Sequence, residues 1–374
     1  MTHSLALCPS PPHRGVLGLV QSAMGSTVNL EALKADLARS DPEKLVEIAV
    51  STYVHVVLYK AFETRPELAD AVPADLVIFF SEMRHANLRR NAAIRAQLLS
   101  IGAEFARAGL TGVALKGAGE LLAPLHPDPA FRFLSDIDVL LHEADLDRAV
   151  GVLHQAGAVS QPEADINQLG HHHREPLWHP DWPVPVELHR GLGAAAARGI
   201  LPATEVLDAA RPTDAAGLAV PSQVHRLAHA VLHAQIEPPR FREATLSLRD
   251  LVEMEVMVRR LEAPRIAKAR EIIDAGGARD AWNALDAARM LLLGGAPGDA
   301  PSPLAARIWA ERALARFGQP RRRRRKLFID LSQYYARAIL FHPERRRHYL
   351  RQLLRPGGLA KALAYQRDKF RRTR

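Results

Sequence analysis

The chain has 374 residues, of which 48% are hydrophobic and 24% charged, and a formal net charge of +9. That length calls for two or three domains, and no apolar run reaches the roughly 20 residues that span a bilayer. A single cysteine, Cys8, excludes an intramolecular disulfide framework and a cysteine-based zinc site, so a reducing, cytoplasmic compartment is expected.

Residues 1–25 hold three prolines and a short apolar stretch, 16–20, that glycines interrupt. The stretch is too short for the core of a signal peptide, and a disordered extension is expected instead. Residues 26–108 read as a helical region. Asn29 is a helix cap, and Asp41-Pro42-Glu43 starts a second helix whose apolar spacing continues through Leu45, Ile48, Tyr53, Val56 and Leu58. A long helix is predicted from about Ala74 to Ala108.

Residues 109–215 read as an α/β core. Residues 111–115 form a short apolar run bounded by glycine, as in a buried strand. Lys116-Gly117-Ala118-Gly119 follows it and leads into a short helix at 120–122. Asp136-Ile137-Asp138-Val139-Leu140-Leu141 alternates acid with apolar residue, so a strand there puts both aspartates on one face. An amphipathic helix is expected over 144–156. Strands are expected near 174–178 and over 184–189, and the second puts Glu187 and His189 on one face. Residues 216–320 read as a helical domain, with His225, His229 and His233 spaced by four and a further helix at 248–261. The fold class is therefore α+β: a small mixed sheet flanked by N-terminal and C-terminal helical regions.

The charge is uneven. Residues 321–374 carry 18 Lys/Arg against three acids, a net +15, which leaves the rest of the chain at −6. This basic tail, with aromatics such as Phe328 and Tyr334 among the arginines, has three readings. It binds nucleic-acid phosphates, lies on an anionic membrane surface, or forms solvated helices that pack on the acidic body. The third is ranked first. The sequence leaves the oligomeric state open.

Two carboxylates at i and i+2 on a strand repel each other, and Mg²⁺ suits such hard oxygen ligands. Asp136 and Asp138 are thus a candidate metal site, with Glu187 on a neighbouring strand as third ligand. Two Mg²⁺ would activate an attacking oxygen and stabilise a departing pyrophosphate. The Lys116-Gly117-Ala118 turn would cradle phosphates, with Lys116 as a point charge. Arg132 either contacts the triphosphate or pairs with Asp136. His189 either orients Glu187 or touches the nucleotide. Asp250 is either a general base or a cap and ion-pair partner. His171, His172 and His173 are consecutive and point in different directions, which argues against one shared ion; one of them contacting substrate is the alternative.

Leu115-Lys116-Gly117, Arg132, Ser135-Asp136-Ile137-Asp138 and Val186-Glu187-Leu188-His189 together resemble the uncharacterised bacterial nucleotidyltransferase family of the DNA polymerase β-like superfamily. The resemblance spans roughly residues 25–260. It implies Gly117 as the turn glycine, Asp136 and Asp138 as paired metal ligands and Glu187 as the third. It implies nucleotide contacts at Lys116, Gly117, Ala118, Arg132, Ser135 and His189, an NTP donor, taken as ATP, and two Mg²⁺. Ala118 replaces the usual Ser or Gly, Glu187 replaces the commoner Asp, and the Gly117-to-Asp136 gap is long. The expected activity is transfer of an NMP to an unidentified acceptor: a small molecule, a peptide or a protein. The alternative is a catalytically weak nucleotide-binding module whose tail meets a partner.

Overall fold

The computed structural model describes residues 5–126, 128–160, 174–193, 195–236, 240–295 and 301–317. The expected disordered extension is corrected at once, because a helix, α1 (Pro11–Ala23), occupies it. Val16, Leu17, Leu19 and Val20 are fully buried. The glycines that read as breakers are points of close approach: a Cβ on Gly18 would lie 2.5 Å from Leu33 Cδ1. Burial of an apolar face outweighs the low helix propensity of glycine here.

Asn29 caps α2 (Leu30–Ala38), its side chain accepting from the Ala32 N–H at 3.1 Å. Asp41 caps α3 (Pro42–Ser51), accepting from the Glu43 N–H at 3.0 Å. That helix stops earlier than the apolar spacing suggested. The Thr52 hydroxyl donates to the Ile48 carbonyl at 2.6 Å, and Tyr53 turns to φ 59°. Residues 55–58 then run as turns until α4 (Tyr59–Thr64). The long helix α5 (Ala74–Arg107) follows as expected.

Next come β1 (Gly112–Ala114), α6 (Lys116–Leu122), β2 (Ile137–Leu140), α7 (Leu146–Gln155), β3 (Val159–Ser160), β4 (Leu177–Trp178) and β5 (Val186–His189). Then α8 (Ala195–Ile200), α9 (Ala203–Asp208), β6 (Arg211–Pro212) and β7 (Leu218–Val220) complete the sheet region. Among the described residues the sheet has seven strands in the order β3-β4-β5-β2-β1-β7-β6. It is mixed: β2 runs antiparallel to β1 but parallel to β5, and β1 runs parallel to β7.

The remaining helices are α10 (Gln223–Gln235), α11 (Arg240–Glu243), α12 (Leu248–Arg260), α13 (Ala263–Ala275), α14 (Arg279–Leu293) and α15 (Leu304–Arg316). The apolar side chains form two clusters. Ile137, Val139, Val186 and Leu188 of the sheet meet Ile94, Leu98, Ile101 and Phe105 of α5 in one. The first four helices and α10 to α15 share the other, which Leu76 and Phe80 of α5 also enter. The long helix therefore spans both, and the described residues belong to one unit of contacts that ends at Phe317. No helix among them is long and apolar enough to cross a membrane. The basic segment 321–374 and the run His171, His172, His173 lie outside the described residues.

Candidate active site

Strand alternation sends Ile137 and Val139 into the sheet core and leaves Asp138 for the opposite face. The parallel register then sets Glu187 beside Asp138, and His189 two residues further along β5. Asp138 is almost fully buried and held from two sides. Its Oδ2 lies 3.1 Å from Lys116 Nζ and its Oδ1 lies 2.7 Å from His189 Nε2. His189 Nε2 also lies 3.6 Å from Glu187 Oε2. Burial alone pushes the Asp138 carboxyl up, but Lys116 and His189 together outweigh it and hold the group well below the usual carboxylate range. Glu187 goes the other way: burial first, and the charge of Asp138 second, push it up to about 7. Asp136 stands just before β2 and is also raised, by burial and by Asp138. Ser135 beside it is exposed and hydrogen-bonds its carboxylate.

Asp138, Glu187 and His189 bring three potential ligand atoms within 4.8 Å of one another. Asp136 is not part of that set. The donors suit a divalent cation, because burial first and mutual repulsion second disfavour the charged Glu187 and Asp136, and a bound positive charge offsets both.

The Leu115 N–H donates to the Asp138 carbonyl at 2.9 Å, which ties the start of α6 to β2. Lys116 itself adopts φ 47°, a conformation that L residues rarely take and that occurs at sites where geometry is imposed. The need for glycine at 117 has a local cause. A Cβ there would come 2.7 Å from Leu134 Cγ and 2.8 Å from Arg132 Nε. Ala118 packs into the sheet core, so its side chain faces away from the cleft.

The irregular segment after α6 is held by α5. Asn87 Nδ2 donates to the carbonyls of Ala130 and Arg132 at 2.7 and 3.0 Å. Asn91 Nδ2 donates to those of Pro129 and Arg132 at 2.8 and 2.9 Å. Arg84 pairs with Asp128 at 2.9 Å, and Arg90 donates to the Leu134 carbonyl. This fixes Arg132, whose guanidinium pairs with Glu253 of α12. The expected alternative of an Arg132–Asp136 pair is thereby corrected: α12 supplies a carboxylate that no local spacing announces.

Two hollows flank the Arg132–Glu253 pair. One, of about 360 Å³, is lined by Lys116, Arg132, Arg226, His229 and His233 among others. The other, of about 490 Å³, is aromatic and apolar, with Tyr53, His126, Phe131 and Phe133 on its walls. His229 and His233 thus face the cleft, whereas His225 does not line either hollow. Burial first, and Lys116 second, push His233 down to about 4 and His229 well below its ordinary value. Asp250 is an ion-pair partner: Arg240 Nη1 lies 2.9 Å from its Oδ2, and Arg249 Nε 3.4 Å from its Oδ1. Ser247 caps α12 by accepting from the Asp250 N–H.

A family model described as uncharacterised nucleotidyltransferase matches residues 38–292, more than half of the chain. The chain belongs to this nucleotidyltransferase family. No curated protein matches it. The matched span of the nucleotidyltransferase begins at the end of α2 and stops within α14, so it includes the whole sheet and the α5 clamp. It also includes residues that sequence reasoning missed. Glu120, on the wall of the aromatic hollow, and Arg226, on the wall of the other, form an ion pair, and Arg226 Nη1 donates to the Ala123 carbonyl at 2.6 Å. The signals were present for some: Asn87 and Asn91, one turn apart inside a long helix, are poor helix formers that need a reason to be there.

Proposed function

We propose that the chain transfers a nucleotidyl group from an NTP, ATP being the donor to try first, to an acceptor hydroxyl or similar nucleophile. The observation that carries this reading is the convergence of Asp138, Glu187, His189 and Lys116 across β2, β5 and the start of α6. Asp136, Asp138 and Glu187 would hold Mg²⁺, two ions in the full reading, with His189 orienting Asp138. Bound there, Mg²⁺ supplies positive charge to the α-phosphate and to the departing pyrophosphate. Lys116, now against Asp138, would turn its ammonium to the β- and γ-phosphates, and the main chain of Gly117 and Ala118 would meet the same oxygens. Arg132, which lines the hollow beside Lys116, and Ser135, which hydrogen-bonds Asp136, would be further nucleotide contacts. In the reaction the acceptor oxygen bonds to the α-phosphorus, the bond from that phosphorus to the bridging oxygen of pyrophosphate breaks, and the acceptor proton is released.

The test is Mg²⁺-dependent binding of each NTP, followed by pyrophosphate release with candidate acceptors. Asp138→Asn is expected to weaken Mg²⁺–NTP binding by about a hundredfold or more. Unchanged binding in a protein carrying both Asp136→Ala and Asp138→Ala would sink the reading. A second reading is a nucleotide-binding module of weak catalytic power whose segment 321–374 meets a nucleic acid, membrane or protein partner. The Lys116 ammonium at 3.1 Å from Asp138 favours it, because a cation must displace that contact. It predicts NTP binding with no pyrophosphate release on any acceptor.

A further inference from the structure

The aromatic hollow next to the cleft has no role in the transfer scheme, yet its construction is specific. Tyr53 and Phe133 stack with ring centroids 6.0 Å apart and planes at 30°. His126 and Phe131 stack at 3.4 Å and 13°. Arg249 lies over the Tyr53 ring at 5.1 Å, and Arg90 over Phe133 at 4.7 Å. Tyr53 adopts φ 59°, and of three non-glycine residues with positive φ among those described, Tyr53 lines this hollow and Lys116 the other. Backbone strain of that kind persists where the surroundings impose it, and it concentrates at ligand sites.

The two hollows share Arg132, Glu253 and Met257. They are therefore neighbours, one bordered by Lys116, Arg132 and Arg226, the other walled by aromatic rings. A ligand that matches both carries an anionic chain at one end and a flat ring at the other. We propose that the Tyr53–Phe133 hollow is the subsite for the base of the donor nucleotide, which it holds by ring stacking. The inference rests on the nucleotidyl-transfer reading of the adjoining cleft. Glu120 and Glu253, the carboxylates on its wall, are both paired with arginines. Recognition by stacking then tolerates different bases, since every base has a π-face.

The experiment compares two probes on the full chain with Mg²⁺: an ATP analogue with a methylene bridge between the α- and β-phosphates, and inorganic tripolyphosphate, which has no ring. Tyr53→Gly removes the ring at a position whose φ suits glycine, so the fold is retained; Tyr53→Phe keeps the ring. Tyr53→Gly and Phe133→Ala are each expected to weaken the ATP analogue about tenfold and leave tripolyphosphate unchanged. Tyr53→Phe is expected to bind both as the parent does. An undiminished affinity of both ring-removing variants for the ATP analogue, or an equal loss for the two probes, would overturn the base subsite. If the parent protein binds neither probe, the nucleotidyl-transfer reading falls and the subsite falls with it.

Discussion

At the scale of single residues the cleft is built from charges that are buried and compensated, and Asp250 shows what that compensation is worth. Burial pushes its carboxyl up, but Arg249, His233 and Arg240 outweigh the penalty and hold it at about 2. A folded pKa below the unfolded value of about 3.9 stabilises the fold above that pH, and the gain is lost as pH falls towards 2. The shift corresponds to about 2 kcal/mol. Asp250→Asn is therefore expected to lower stability by about that amount at neutral pH, leaving Arg240 and Arg249 without their carboxylate. Denaturant titrations of both proteins should show the gap narrowing from pH 4 downward and closing near pH 2. Glu187 illustrates the opposite sign. Its carboxyl, raised by burial and by Asp138, is a group for which a divalent cation would be the natural relief.

At the scale of elements, the clamp between α5 and the segment before β2 decides where Arg132 stands. Asn87 and Asn91 are buried, and each satisfies two carbonyls that have left regular structure. Replacing Asn87 by Ala strands the Ala130 carbonyl and replacing Asn91 strands that of Pro129, each expected to cost about 1–3 kcal/mol. Because both donate to the Arg132 carbonyl, the double variant should depart from the sum of the singles, which a double-mutant cycle in urea would register. The elements differ in how far they could be read from sequence. The aspartate pair at 136 and 138 and the alternation through Glu187 and His189 announced β2 and β5, and caps announced α2 and α3. Strands β6 and β7, two and three residues long, carry too few positions for alternation to be seen. Nothing local announced Glu253, since it reaches Arg132 from 121 positions away in the chain. The apolar spacing across Tyr53 misled for a different reason: it continues in phase while the backbone turns through a left-handed residue. The glycines of α1 misled because their missing Cβ atoms count only once Leu33 is known to lie against Gly18, and Leu37 and Leu45 against Gly15.

At the scale of the whole molecule, the ends of the described chain meet. α1 packs on α2, α3, α4 and α14, Gln21 Nε2 donates to the Leu292 carbonyl at 2.5 Å, and His13 lies edge-on to Phe317 with centroids 5.4 Å apart. Removing residues 1–25 would uncover the side of the helical cluster formed by Leu33, Leu45 and Leu292. The truncated chain is expected to lose several kcal/mol, or to be recovered only as aggregate, since exposing apolar area costs about 25 cal/mol per Å². Limited proteolysis and thermal unfolding beside the full chain would measure the loss; an unchanged midpoint would mean that α1 contributes nothing to stability. The same closure sets an order of events on the ribosome. α1 is made well before its partner α14, which is synthesised more than 250 residues later. At roughly 5–20 residues per second, α2, α3 and α4 reach α1 within seconds, whereas the part of its face that meets α14 waits for tens of seconds. That patch of α1 is thus open to misassembly until α14 appears, and a chaperone that shields it would act in that interval.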